Sequence, residues 1–269
     1  MESKAFLPSQ TTLTHHMPPT VPEIIAHRGA SHDAPENTLA AWILGWEQGA
    51  DAGELDIQLS QDGQVVVLHD STTQRTAGLD KLLAAQTLSE LRLLDAGSWK
   101  GPRWIGEKIP TLTEALSTIP MGKKMFIELK RGPEILPALE QVLKKSELLP
   151  EQLILMSFSY ETMQLTKHRF PANPCYWLVP YKEDPRTHKI PTNEELIEHV
   201  RAAGLDGLNL DFRFPFDAAF VTKVKAAGLK IYTWTIDDPH VARQLQQAGV
   251  NGITTNRPAW LRQQLFGSV

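Results

Sequence analysis

Four times along this chain a helical pattern runs into a glycine and then into a short apolar run: Gln48-Gly49-Ala50, Ala203-Gly204-Leu205, Ala227-Gly228-Leu229 and Ala248-Gly249-Val250. Glycine after a last helical turn takes the left-handed cap conformation at little cost, so each triplet reads as a helix stop. The segments before them carry apolar residues three and four apart: Leu39, Trp42, Ile43 and Trp46; Leu196, Val200 and Ala203; Phe220 and Val224; Val241, Leu245 and Ala248. These are one-sided helices that need a sheet to cover. Eight strand-like runs supply it, at 23–27, 54–59, 124–130, 153–157, 175–178, 207–210, 230–235 and 252–255. Alternation of strand and helix predicts the α/β class with a parallel sheet, and eight such units favour closure into a (β/α)8 TIM barrel. An open doubly wound sheet is the alternative topology.

Residues 1–20 hold Pro8, Pro18, Pro19, several threonines and the pair His15-His16, without the apolar core of a secretory signal. They read as a flexible tail in which two histidines are too few to hold a metal. The remaining residues, 21–269, match the roughly 250 of one barrel domain. A small insertion at 71–106, after the second strand region, breaks the rhythm and has its own helical piece near 88–94. Long inserts often act as lids, so Trp99 and Trp104 are candidates to touch a ligand; anchoring the loop from beneath is the expected role. The leucines of the insertion are expected to be used in its own packing.

Composition removes several function classes. With 27 basic and 31 acidic side chains the net charge is -4, which gives no broad footprint for nucleic acid. Cys175 stands alone, so no intrachain disulfide or cysteine zinc cluster can form, and it reads as core. No apolar run approaches the roughly 18 residues of a membrane span, and the absence of a signal segment leads us to expect a cytoplasmic location.

Barrel sites lie at the C-terminal ends of the strands. In Glu54-Leu55-Asp56-Ile57 the two acids share one strand face, and with Leu55 and Ile57 turned to the helices they must face the interior. Glu128-Leu129-Lys130 repeats the pattern on the next strand. Three inward carboxylates make a hard-oxygen site suited to Mg²⁺ or Ca²⁺, against which stands an internal salt-bridge cluster around Lys130. Asp62-Gly63 predicts a two-residue hairpin turn with Gln61 opposite Gln64. In that register Asp56 faces His69, which brings an imidazole to the acids. His27-Arg28-Gly29 ends the first strand with a second imidazole and a guanidinium. Two histidines suit general acid and base catalysis, and Arg28 with Lys130 suits phosphate oxygens. His32, His168, His188, His199 and His240 have no partner pattern and read as surface.

With these elements in order, the chain resembles the glycerophosphodiester phosphodiesterase family, whose barrel is shared with phosphatidylinositol-specific phospholipases C. The matching pieces are His27-Arg28-Gly29, Pro35-Glu36-Asn37-Thr38, Glu54-Leu55-Asp56, Asp62-Gly63, His69-Asp70, Arg75-Thr76, Ile109-Pro110-Thr111-Leu112, Glu128-Leu129-Lys130, Ser157-Phe158, Trp234-Thr235 and Gly252-Ile253-Thr254-Thr255-Asn256. The resemblance implies that Glu54, Asp56 and Glu128 bind one divalent cation, Mg²⁺ or Ca²⁺, that His27 and His69 form the acid and base pair, and that Arg28 and Lys130 hold the phosphate. It further implies that Phe158 and Trp234, otherwise core aromatics, line the glycerol side. Asn37 is expected to cap the first helix. Two departures stand out: Gly53 where a larger apolar residue is common, and Asp237 where the family often has asparagine. Neither is expected to touch the chemistry, although Asp237 adds charge near the mouth.

The expected activity is metal-dependent hydrolysis of a small-molecule glycerophosphodiester to sn-glycerol 3-phosphate and an alcohol, with no nucleic acid partner and no membrane span. Residue types do not assign which histidine is the acid. The alternatives are a lysophospholipase D acting on lipids and a non-catalytic barrel that binds phosphodiesters.

Overall fold

In the computed structural model, which describes residues 21–183 and 188–267, eight parallel strands close into a barrel. They are β1 (Glu23–Ala26), β2 (Ala52–Leu59), β4 (Lys124–Leu129), β5 (Leu153–Ser157), β6 (Cys175–Val179), β7 (Gly207–Asp211), β8 (Lys230–Trp234) and β9 (Gly252–Thr255), with the short β3 (Val65–Val67) added antiparallel to β2. β1 pairs with both β2 and β9, which shuts the ring and excludes the open sheet. The expected tail, with His15-His16, lies outside the described residues.

Strict alternation along each strand sorts side chains into two cores. Leu55, Ile57, Met125, Ile127, Leu208, Leu210, Ile231 and Ile253 face the helices in the larger cluster, together with Cys175. Ile25, Ala52, Phe126, Ile154, Met156, Tyr176, Leu178 and Tyr232 fill the barrel interior. Tyr176 stacks on Tyr232 at 5.1 Å, and Phe126 meets Tyr232 edge-on at 5.0 Å. This aromatic plug closes the barrel below, so on β2 and β4 the interior changes from Ala52 and Phe126 to Glu54, Asp56 and Glu128 towards the C-terminal mouth. Gly53 points outward, as expected. A Cβ there would lie 2.9 Å from Met125 Sδ and 3.1 Å from the Trp46 ring, so the missing side chain makes room for that tryptophan.

The hairpin register differs by one residue from the sequence expectation. Leu59 pairs with Val65, Gln58 with Val66 and Ile57 with Val67. Asp62 does not take the positive φ that a two-residue type I′ turn needs; only Gly63 does, at 73°. Ser60 closes a three-residue loop instead: its N–H donates to the Gln64 carbonyl at 3.0 Å, and the Gln64 N–H donates to Ser60 Oγ at 2.9 Å.

Leu83, Leu91 and Ala96 of the insertion form a satellite core with Val66, Leu68 and Ile109 from its flanks. Trp99 and Trp104 are outside it. Trp99 is 41% exposed, with its Nε1–H donating to the Ala96 carbonyl at 2.9 Å, so the loop is anchored by leucines and not by its tryptophans. No described helix is long and apolar enough to cross a membrane.

Candidate active site

A cavity of about 130 Å³ at the barrel mouth is lined by His27, Arg28, Glu54, His69, Glu128, Lys130, Phe158 and Trp234, with Asn209 and Thr254 among its other walls. Asp56, 1% exposed, lies among these residues: Arg28 Nε is 3.3 Å from its Oδ2 and Lys130 Nζ is 3.5 Å from its Oδ1. The structure therefore brings together all nine residues singled out from sequence. A larger groove of about 810 Å³ starts at the same Phe158 and runs outward past Tyr160, Trp177 and His199; it holds none of the three acids or of the two histidines.

Glu54, Asp56 and Glu128 are buried and each offers an oxygen within 4.8 Å of the others. Burial and then Asp56 push the Glu54 carboxyl well above its ordinary range, and the same two causes push Glu128 up to about 7. For Asp56 burial acts against the charge, yet Arg28 and Lys130 outweigh it and hold the carboxyl low. Asp56 Oδ1 and Glu128 Oε1 are buried without a hydrogen bond, although Lys130 Nζ stands 2.7 Å from the latter as an ion pair. Crowded carboxylates with unused lone pairs are what a divalent cation would satisfy, so this donor set fits one.

Backbone geometry aims the first strand's residues. Arg28 has φ 55° and Asn37 has φ 56°, conformations that non-glycine residues seldom hold without compensation. The Arg28 N–H donates to Glu54 Oε2 at 2.9 Å, its guanidinium to Glu36 Oε1 at 2.8 Å, and its carbonyl accepts from the Asn37 N–H at 3.0 Å. Asn37 is not the helix cap. Thr38 caps helix Leu39–Glu47 by accepting from the Ala41 N–H, which frees Asn37 Nδ2 to donate to Asp56 Oδ2 at 2.8 Å.

His69 reaches the cavity by a route other than the ladder. The register puts Leu68 beside Asp56, through a Leu68 N–H to Asp56 carbonyl bond of 3.0 Å. Beyond it the chain turns, and buried Gln58 Nε2 holds that turn by donating to the carbonyls of Leu68, His69 and Asp70 at 2.8, 3.3 and 2.7 Å.

The two imidazoles are held differently. His69 Nδ1 is 2.7 Å from Asp70 Oδ1. Hydrogen bonds from Arg75 hold the Asp70 carboxyl far below its ordinary range, so Asp70 is an acceptor and His69 Nδ1 carries a hydrogen. Arg75 comes from the insertion and spans two acids: Nε and Nη2 to Asp70 at 2.7 and 3.0 Å, Nη1 and Nη2 to Glu36 at 2.7 and 2.8 Å. One side chain thus ties the partner of His69 to the partner of Arg28. His27 Nδ1 instead meets Asn256 Oδ1 at 2.7 Å. Burial, and after it Arg28, lower His27 to about 4, so its ring is neutral near neutral pH.

With this geometry in place the comparisons decide the family. The sequence pattern of the glycerophosphoryl diester phosphodiesterase family matches residues 27–260. The chain belongs to that family. It is 34% identical over 251 residues to the glycerophosphodiester phosphodiesterase of Caldanaerobacter subterraneus subsp. tengcongensis, covering 88% of this chain and 95% of that one. A solved Oleispira antarctica phosphodiesterase, in complex with the product sn-glycerol-3-phosphate, superposes with a TM-score of 0.80 at 34% identity, covering 91% of this chain and 96% of the other. The Thermotoga maritima glycerophosphodiester phosphodiesterase gives 0.75 at 27%, covering 91% and 98%. The protein is accordingly a phosphodiesterase of the glycerophosphodiester type.

Several side chains that hold this constellation have no role assigned from the sequence: Glu36, Gln58, Asp70, Arg75 and Asn256. Most lie in or beside the matched pieces, but their work is done through another side chain, which spacing along the chain does not display.

Proposed function

We propose that this phosphodiesterase hydrolyses glycerophosphodiesters such as glycerophosphocholine or glycerophosphoethanolamine to sn-glycerol 3-phosphate and an alcohol. The observation that carries the reading is one barrel mouth where Arg28, Lys130, three buried acids and two imidazoles meet, one imidazole on a carboxylate and the other on an amide oxygen. The product complex of the Oleispira relative supports the same substrate class. Arg28 and Lys130 take phosphate oxygens as charge-assisted donors. Glu54, Asp56 and Glu128 hold one divalent cation, Mg²⁺ or Ca²⁺, which when bound neutralises charge on the phosphate. Phe158 and Trp234, edge to face at 5.5 Å, give the glycerol an apolar wall.

His27, neutral and bare at Nε2, serves as the base and takes a proton from the nucleophile, water or a glycerol hydroxyl, as its oxygen bonds to phosphorus. The incoming phosphodiester brings negative charge beside Arg28, which after burial is the second cause that lowers His27. His69, held at Nδ1 by Asp70, protonates the alkoxide as the P–O bond to the leaving alcohol breaks. The test is release of sn-glycerol 3-phosphate from glycerophosphocholine in chelator and after Mg²⁺ or Ca²⁺ is restored. Cation-dependent release that disappears in His27→Ala and His69→Ala is expected; a His27→Ala enzyme near the wild-type rate sinks the scheme.

One observation favours the lysophospholipase D reading. The insertion leaves Leu79, Leu82, Leu93, Trp99 and Ile105 exposed, Leu93 by 82%, where self-packing was expected to use its leucines. Exposed apolar side chains on the insertion are what contact with a lipid would use. Rates on glycerophosphocholine and on a long-chain lysophosphatidylcholine separate the two.

A further inference from the structure

Asp237 sits at the solvent edge just after β8, and the three hydrogen bonds it accepts all come from the end of β9. Thr255 Oγ1 donates to its Oδ1 at 2.7 Å, the Asn256 N–H to the same oxygen at 2.9 Å, and Asn256 Nδ2 to its Oδ2 at 2.6 Å. A carboxylate in this position only accepts, so it fixes the Asn256 amide with the nitrogen outward. Ser31 Oγ, donating to Asn256 Oδ1 at 2.8 Å, agrees with that orientation. What Asn256 presents to His27 is therefore its oxygen, 2.7 Å from Nδ1, and the ring nitrogen facing it must carry a hydrogen. A neutral imidazole has one N–H, so Nε2 is left bare.

We propose that Asp237 is a positioning residue: acting through Asn256, it holds His27 in the tautomer that turns the Nε2 lone pair to the phosphodiester. This rests on the reading of His27 as the base. The side chain does not line the cavity and its hydrogen bonds go to Thr255 and Asn256, and it stands where the sequence resemblance leads one to expect asparagine.

The carboxylate matters because of what an amide would do in its place. In Asp237→Asn the oxygen stays with its two fixed donors, Thr255 Oγ1 and the Asn256 N–H. The new NH₂ then faces the NH₂ of Asn256. Two donors cannot bond, so Asn256 turns over and offers its NH₂ to His27 Nδ1. The ring proton moves to Nε2, and the lone pair no longer faces the cavity. Moving the acid restores the pattern: in the double variant Asp237→Asn/Asn256→Asp, the carboxylate now at position 256 accepts from the amide at position 237 and from His27 Nδ1 together.

The experiment measures kcat and KM on glycerophosphocholine, with cation, for wild type, Asp237→Asn, the double variant and His27→Ala. A wrong tautomer removes positioned proton transfer, so kcat of Asp237→Asn should fall about 10²-fold or more. KM should stay within about threefold, because the loss belongs to the transition state. The double variant should recover to within about tenfold of wild type, which a merely structural role for Asp237 would not produce. Ring ¹⁵N shifts of His27 in the wild-type protein give a readout that needs no variant to fold, and hydrogen on Nδ1 is expected. Hydrogen on Nε2, an Asp237→Asn enzyme at the wild-type kcat, or a folded double variant as slow as Asp237→Asn overturns the proposal. If these results come with a dead His27→Ala enzyme, only the role of Asp237 falls; an active His27→Ala enzyme removes the base reading itself.

Discussion

Glu128→Gln separates what the acid cluster does for stability from what it does for the reaction. In the chelated protein, burial and Asp56 raise the Glu128 carboxyl from an ordinary 4.5 to about 7. Keeping it charged thus costs the folded chain about 3 kcal/mol relative to the unfolded one. The sign follows from proton counting. Between pH 4.5 and about 7 the folded protein holds a proton that the unfolded chain has released, so stability falls as pH rises through that window, and the loss is complete above it. Glutamine has nearly the same shape and no charge. At pH 8 in chelator Glu128→Gln should therefore be the more stable protein by about 3 kcal/mol, or about 6–12 °C in Tm for a chain of this size. At pH 5 the gap should shrink to about 1 kcal/mol. The attraction of Lys130 is already counted, because it acts on the same carboxyl. Adding Mg²⁺ or Ca²⁺ should close the gap and then reverse the order: a cation at a hundred times its Kd stabilises wild type by about 2.7 kcal/mol and at a thousand times by about 4.1 kcal/mol, and the variant, one ligand short, gains little. Thermal and urea unfolding at the two pH values, with chelator and with cation, reads all four corners. A chelated variant less stable than wild type at pH 8, or a gap that ignores pH, refutes the reasoning.

Other consequences follow from single contacts. Arg75→Gln frees Asp70 and Glu36 together and should lower kcat about tenfold or more, and Arg75→Lys should not rescue it, since an ammonium lacks the fork that spans two carboxylates; steady-state kinetics check both. Gln58→Leu leaves the carbonyls of the 68–70 turn without their donor, so about 1–3 kcal/mol should be lost in urea unfolding together with a fall in kcat, because that turn aims His69. Gly29→Ala puts a Cβ 2.5 Å from the Ala41 backbone at a φ of +82°, and Tm should fall by several degrees with activity lost wherever the fold survives.

The barrel was legible because its signals are local and repeated. Period-two alternation in Glu54-Leu55-Asp56-Ile57 is enough to put two acids inside, and the interior in fact changes from Ala52 to Glu54 at that height. The matching step on β4, Phe126 to Glu128, was equally plain, so the candidate metal ligands could be read from strand parity alone. What failed was whatever depended on a side chain meeting distant backbone. Asp62-Gly63 looked like a two-residue turn, but Ser60 Oγ bonding the Gln64 N–H selects a three-residue loop and shifts the ladder by one. On that shifted ladder the parity argument for His69 no longer holds; the ring arrives because Gln58, eleven residues earlier, grips its turn. Asn37 was read as a cap by residue type, whereas Thr38 one step on had the free geometry and Asn37 had Asp56 to bind. The contact of Asp237 with Asn256 is hidden for the same reason, since Asn256 lies nineteen residues away, just past the neighbouring strand. Strand parity reveals which side chains enter a barrel. How each is turned once inside is set by polar contacts between strand ends, and those are visible only after the ring has closed.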